Sequence, residues 1–128
     1  MSAILVVDDD PIHAEYLVTL LQRSGEAADC ALSARDALQH LAGGRYGIVI
    51  TDLLMPDVDG IELVREIRRS HPHIGIIGVS GCDGALRRLA GALMAHYGLG
   101  SMLAKPIDQV ALRKALNDSR ESNLCRGL

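Results

Sequence analysis

Apolar residues along this chain cluster in short runs: Ile4–Val7, Ala27–Leu32, Ile48–Thr51, Ile74–Val79 and Ser101–Ala104. Between the runs lie longer stretches in which apolar residues recur three or four positions apart. Short runs that do not alternate with polar residues predict strands buried on both faces. The longer stretches predict helices, and several carry their own start and stop signals. Asp10-Pro11 reads as an N-cap and first helical position, with Gly25 as the stop. Ser33-Ala34-Arg35-Asp36 reads as a second start, with Gly43-Gly44 as its stop. Ile61, Val64 and Ile67 share one face of a third helix that ends before His71-Pro72. Leu86, Leu89, Ala90, Leu93 and Tyr97 define a fourth, closed by Gly98. A fifth begins over Val110–Leu116, and Asn117–Leu128 reads as a polar tail.

Five strand–helix units in succession predict an α/β domain, with helices on both faces of a doubly wound parallel sheet. In such sheets ligands bind beyond the carboxyl ends of the strands. Functional residues are therefore expected just after each apolar run, and chemistry-bearing residues stand there. The first run ends in Asp8-Asp9, the third in Asp52, the fourth in Ser80-Gly81 and the fifth in Lys105-Pro106. Two carboxylates about 5 Å apart repel by ~3 kcal/mol at an effective dielectric near 20, so clustered acids need a cation or donor among them. Three carboxylates without His or Cys suit a hard divalent cation such as Mg²⁺. A carboxylate can also attack phosphorus to form an acyl phosphate. Lys105 and Ser80 would then neutralise or hydrogen-bond phosphate oxygens. Asp10 is set apart from this group as the helix cap.

Composition narrows the picture. At 128 residues the chain fits one domain, read as residues 1–118 followed by a polar tail or linker over 119–128. The core has no Trp or Phe to draw on. A net charge of −3 gives no electrostatic reason to expect a nucleic-acid partner. No stretch approaches the ~20 apolar residues of a membrane span, and the start lacks a signal-peptide pattern. Cys30, Cys82 and Cys125 are odd in number and lack metal-ligand spacing, which predicts free thiols in a reducing cytoplasm. The five histidines, 13, 40, 71, 73 and 96, are read as packing residues. Arg65, Arg68 and Arg69 are read as complementing the end of the third helix.

The ordered set Val6-Val7-Asp8-Asp9-Asp10, Thr51-Asp52-Leu53-Leu54-Met55-Pro56, Asp59-Gly60, Ser80-Gly81 and Lys105-Pro106 resembles a response-regulator receiver domain over residues 3–118. The resemblance implies a flavodoxin-like fold with strand order 2-1-3-4-5. It implies that Asp52 accepts a phosphoryl group from a phosphohistidine on a sensor histidine kinase or phosphotransfer protein. Asp9, Asp52 and the backbone carbonyl of Leu54 would ligate Mg²⁺, with Asp8 acting mostly through a metal-bound water. Ser80 and Lys105 would contact the phosphoryl group near the Gly81 backbone, and Lys105-Pro106 would be cis. Such a chain is not an enzyme beyond catalysing its own phosphorylation and dephosphorylation, and its downstream partner is a protein that the sequence does not name.

Three features depart from the family pattern. Met102 stands where an aromatic residue commonly sits. The segment from Ser80 to Lys105, with Gly81-Cys82-Asp83-Gly84, is a few residues longer than usual. Arg87, Arg88, Gly91 and Ala95 give the fourth helix a thin polar cover, which suggests a partner or second copy on the face of the fourth helix and fifth strand. Leu54 and Cys82 flank the site and would orient an attacking water poorly, implying a long-lived acyl phosphate. Two other functions compete. One is a receiver fold used for docking or dimerisation without a phosphate switch. The other is an aspartyl-nucleophile phosphohydrolase, suggested by Asp57-Val58-Asp59-Gly60 but spoiled by Met55-Pro56 between strand and motif.

Overall fold

The computed structural model describes residues 2–53, 60–81, 92, 95–99 and 101–126, with side chains as far as Glu121. The elements run β1 (Ala3–Val7), α1 (Pro11–Arg23), β2 (Ala28–Ala31), α2 (Ala34–Leu41), β3 (Tyr46–Asp52), α3 (Gly60–Ser70) and β4 (Gly75–Ser80). Helical residues 92 and 95–97 mark α4, whose start lies outside the described residues. β5 (Ser101–Ala104) and α5 (Gln109–Arg126) complete five strands and five helices. All strand pairs are parallel, in the order β2-β1-β3-β4-β5.

Each strand feeds two cores because its side chains alternate between faces. Leu5, Val7, Val49 and Ile76 pack with Leu41 of α2 and Leu63, Val64 and Ile67 of α3. Ile4, Val6, Ile48, Ile50 and Ile77 pack with Leu17 and Leu21 of α1 and Leu112 and Leu116 of α5. The sheet is thus the middle of three layers, and its inner strands β1, β3 and β4 are apolar and buried on both sides. The edge strands β2 and β5 are only partly buried, and Cys30 of β2 is an exposed free thiol.

The predicted caps are in place. Asp10 Oδ1 accepts from the Ile12 amide at 3.0 Å, and Ser33 Oγ accepts from the Asp36 amide at 3.1 Å. Gly25 has φ +85°, a left-handed conformation that only glycine adopts without cost, and it turns the chain out of α1. α3 stops at Ser70, before His71-Pro72. Arg68, read as a favourable charge at the end of α3, has a larger part. Its guanidinium donates to the carbonyls of Tyr97 (2.6 Å), Ile74 (2.8 Å), Pro72 (3.1 Å) and Gly98 (3.2 Å). It ties the end of α3 to the end of α4.

The polar tail is a helix. α5 continues through Arg126, with no Gly or Pro in its span to stop it. Ser119 is buried, and Arg120 pairs with Glu26 beside the end of α1 at 2.6 and 3.0 Å. Of the fourth-helix residues singled out in the sequence, Leu86, Arg87, Arg88, Leu89, Ala90, Gly91 and Leu93 lie outside the described residues. Among those described, Ala92, Ala95 and His96 are exposed and Tyr97 is half-buried. Among the described residues no helix is long and apolar enough to cross a membrane.

Gly60 fixes how closely α3 approaches the sheet. A Cβ there would lie 2.3 Å from the Asp52 carbonyl oxygen and 2.6 Å from Leu53 Cα, both backbone atoms that cannot step aside. Gly60→Ala should therefore cost about 2 kcal/mol or more of stability. Gly43→Ala meets only an ordinary 3.4 Å contact with the His40 carbonyl and should change stability by less than about 0.5 kcal/mol. Urea unfolding of the two variants beside the parent checks the contrast.

Candidate functional site

The acidic site is assembled by the strand register. Val7 pairs with Thr51, Asp52 with Val79, and Ser80 with Ala104, so the carboxyl ends of β1, β3, β4 and β5 stop level with one another. Backbone bonds just past the strands extend that alignment. The Asp8 amide donates to the Ala31 carbonyl at 3.1 Å, that of Leu53 to Val79 at 3.1 Å, and that of Lys105 to Ser80 at 2.9 Å. Four of the predicted site residues therefore have their main chains pinned to neighbouring strands before any side-chain contact is made.

The side chains converge as the sequence suggests. Carboxylate oxygens of Asp8, Asp9 and Asp52 lie within 4.8 Å of one another. Asp8 and Asp52 are buried and Asp9 is exposed. Lys105 starts two strands from Asp52. Its long side chain crosses the end of β4 to put Nζ 3.1 Å from Asp52 Oδ2 and 3.8 Å from Asp8 Oδ2. Ser80 is buried at the end of β4, between those two strands. Among the described residues, nothing lies within 4 Å of where a Cβ on Gly81 would stand. Lys105-Pro106 is cis, as expected. Asp10 serves the helix rather than the cluster: its carboxylate caps α1 and its amide donates to Asp8 Oδ1 at 2.9 Å. Leu54, Cys82, Asp57 and Asp59 lie outside the described residues.

One ammonium beside three carboxylates governs the electrostatics. Burial pulls the Lys105 pKa down, but the hydrogen bond to Asp52 and the charges of Asp52, Asp8 and Asp10 outweigh it and hold the pKa above the ordinary lysine value. Among the described residues, the Lys105 ammonium does not by itself balance the three acids. An all-oxygen donor set of this spacing fits a hard divalent ion such as Mg²⁺.

One residue of this site was not legible from spacing alone. His13, read as a packing histidine, turns its Nδ1 onto Asp8 Oδ2. The missed signal is positional. A helix capped at Asp10 places residue 13 in its first turn, above the end of the preceding strand. Met102 is half-buried against the α2–α3 core, and its sulfur lies 2.6 Å from where a Cβ on Gly78 would stand. The missing side chain of Gly78 makes the room that Met102 fills.

Comparison with known proteins agrees with this geometry. The profile of the response regulator receiver domain family matches residues 4–117. The transcriptional regulatory protein BasR of Escherichia coli is 30% identical over 97% of this chain and 58% of its own length. The chain spans less than half of several other curated relatives. A response regulator receiver domain protein from Clostridium thermocellum superposes with a TM-score of 0.84 at 29% identity, covering 97% of this chain and 99% of that one. The response regulator TrrA of Thermotoga maritima, solved in complex with Mg²⁺ and BeF, gives a TM-score of 0.79 at 28% identity over 93% of this chain and 99% of its own.

Two predictions follow from the charges. Asp9→Asn removes like-charge repulsion without emptying the core, so it should raise the metal-free melting temperature by a few degrees. The same change should abolish the further rise expected of the parent in millimolar Mg²⁺; a lower metal-free melting temperature would contradict the repulsion argument. The second concerns alkali. A raised lysine pKa adds stability that is complete below the unfolded value near 10.4 and lost as pH rises through the folded one. The stability advantage of the parent over Lys105→Gln should thus hold at neutral pH and shrink above about pH 10, as paired urea titrations would show.

Proposed function

The chain belongs to the response regulator receiver domain family, and on that premise we propose that it is a phosphoacceptor switch with Asp52 as acceptor. The observation that carries this reading is the position of Asp52. It alone among the three acids has an oxygen at hydrogen-bonding distance from the Lys105 ammonium while sharing the carboxylate cluster.

In the proposed step a carboxylate oxygen of Asp52 attacks the phosphorus of a phosphohistidine on a sensor kinase or phosphotransfer protein. The new P–O bond forms as the P–N bond breaks, and the imidazole nitrogen leaves with the bonding pair and then takes up a proton. Lys105 pairs with a phosphoryl oxygen, and Ser80 and the Gly81 amide donate to the others. Asp9, Asp52 and, as the family resemblance implies, the Leu54 carbonyl would hold Mg²⁺, with Asp8 acting mostly through a metal-bound water, and the ion would neutralise phosphoryl charge. The TrrA complex with Mg²⁺ and BeF supports that assignment by likeness alone. Transfer to Asp52 then changes affinity for a downstream protein, through a surface that includes the α4–β5 face with its exposed Ala92 and Ala95. A cytoplasmic setting, where such donors work, belongs to the same proposal. A second reading, a docking or dimerisation module without a phosphate switch, draws on Met102, which already fills the space beside β4.

Incubation with Mg²⁺ and acetyl phosphate tests the proposal by intact mass. One phosphoryl adduct is expected in the parent and none in Asp52→Asn. Lys105→Ala should label at least ten times more slowly. Labelling that leaves partner affinity and association state unchanged would favour the docking reading. Absence of an adduct with both acetyl phosphate and a phosphohistidine donor would overturn the acceptor assignment.

A further inference from the structure

We propose that His13 is a positioning residue for the divalent cation, holding the Asp8 carboxylate in the orientation in which it faces the ion. The proposal rests on the reading of Asp8, Asp9 and Asp52 as the cation site.

Asp8 is 1% exposed, so water cannot orient its carboxylate. Its two oxygens are fixed separately. Oδ1 accepts from the Asp10 amide at 2.9 Å, a donor set by the first turn of α1. Oδ2 meets Nδ1 of His13. A carboxylate oxygen is an acceptor, so in this pair the ring Nδ1–H is the donor. With one donor on each oxygen, the carboxylate cannot rotate without breaking a bond. Lys105, 3.8 Å from Oδ2, is too far to take over the role of His13.

The imidazole is itself held. Its ring stacks on Tyr16, one helical turn along α1, with centroids 6.2 Å apart and planes 29° apart. The Tyr16 hydroxyl donates to the Ile107 carbonyl at 2.8 Å, two residues beyond Lys105. A chain of contacts thus runs from the segment after β5, through Tyr16 and His13, to Asp8. His13 does not join the oxygen cluster as a ligand: the donor group within 4.8 Å comprises the three aspartates. It stands behind Asp8, where hydrogen-bonded partners of metal ligands act by fixing geometry.

Calorimetric titration of the metal-free protein with MgCl₂ at constant pH tests this, with melting curves to show that each variant is folded. His13→Leu keeps bulk in the site and removes the donor; its Mg²⁺ dissociation constant should rise about tenfold. His13→Asn places an amide N–H close to the position of Nδ1 and should restore affinity to within about threefold of the parent. That rescue separates a donor from a residue that merely fills space. Unchanged or tighter binding in His13→Leu would overturn the proposal, the latter by showing that the ring competes with the ion. Equal weakening in both variants would overturn it too. Asp9→Asn is the control for the underlying reading. If it binds Mg²⁺ as well as the parent does, or if the parent binds none, the cation site is wrong and the role of His13 falls with it. If Asp9→Asn loses binding and His13→Leu does not, only the role of His13 is refuted.

Discussion

Three carboxylates gathered at the end of an apolar sheet make an arrangement that repels itself, and most of the structure near them serves to keep it together. At the observed spacing a pair costs ~3 kcal/mol at intermediate dielectric, more than loosely held loops would tolerate. The cluster persists because its members are not on loose loops. Asp52 is the last residue of β3, Asp8 is hydrogen-bonded to the strand beside it, and Lys105 is bonded through its amide to the end of β4. The sheet, apolar on both sides over its three inner strands, supplies the rigidity, and Lys105 supplies a positive charge beside Asp52.

The same economy shapes the surroundings. Gly60 lets α3 lie against the backbone at Asp52 and Leu53, where any side chain would collide. Gly78 leaves room for Met102, with Leu53 and Leu99 nearby. Where the family pattern has an aromatic residue, this chain has a flexible thioether. Arg68 joins the ends of α3 and α4 through four carbonyls. Movement on that side of the sheet is therefore tied to the backbone of the segment entering β5.

Much of this was legible in the sequence, for reasons particular to each element. Inner strands buried on both faces left uninterrupted apolar runs, and Asp10-Pro11 and Ser33 marked helix starts with side chains that bond the backbone. Once the strands were ordered, the rule that ligands sit at their carboxyl ends brought Asp8, Asp9, Asp52, Ser80 and Lys105 together. Elements whose signal is tertiary were harder. The outer half of α5 looks like a polar tail because only long-range contacts, such as Arg120 with Glu26, show that it is packed. β2 was read from the run Ala27–Leu32 and is there over Ala28–Ala31, but as an edge strand it is only partly buried rather than buried on both faces. β3 begins at Tyr46, two residues before its apolar run, because Ala3 of β1 pairs with it there. His13 escaped because its partner, five residues earlier, is brought near by the turn from β1 into α1 rather than by regular spacing.

The central claim is that this pocket singles out Asp52 from three neighbouring carboxylates as the phosphoryl acceptor. Borohydride reduces an acyl phosphate to an alcohol, so treating the phosphorylated protein and sequencing its peptides by mass spectrometry marks the acceptor directly. Homoserine is expected at position 52, with Asp8 and Asp9 unchanged. Homoserine at position 8 or 9, or a phosphoryl group found on a histidine instead, would contradict it.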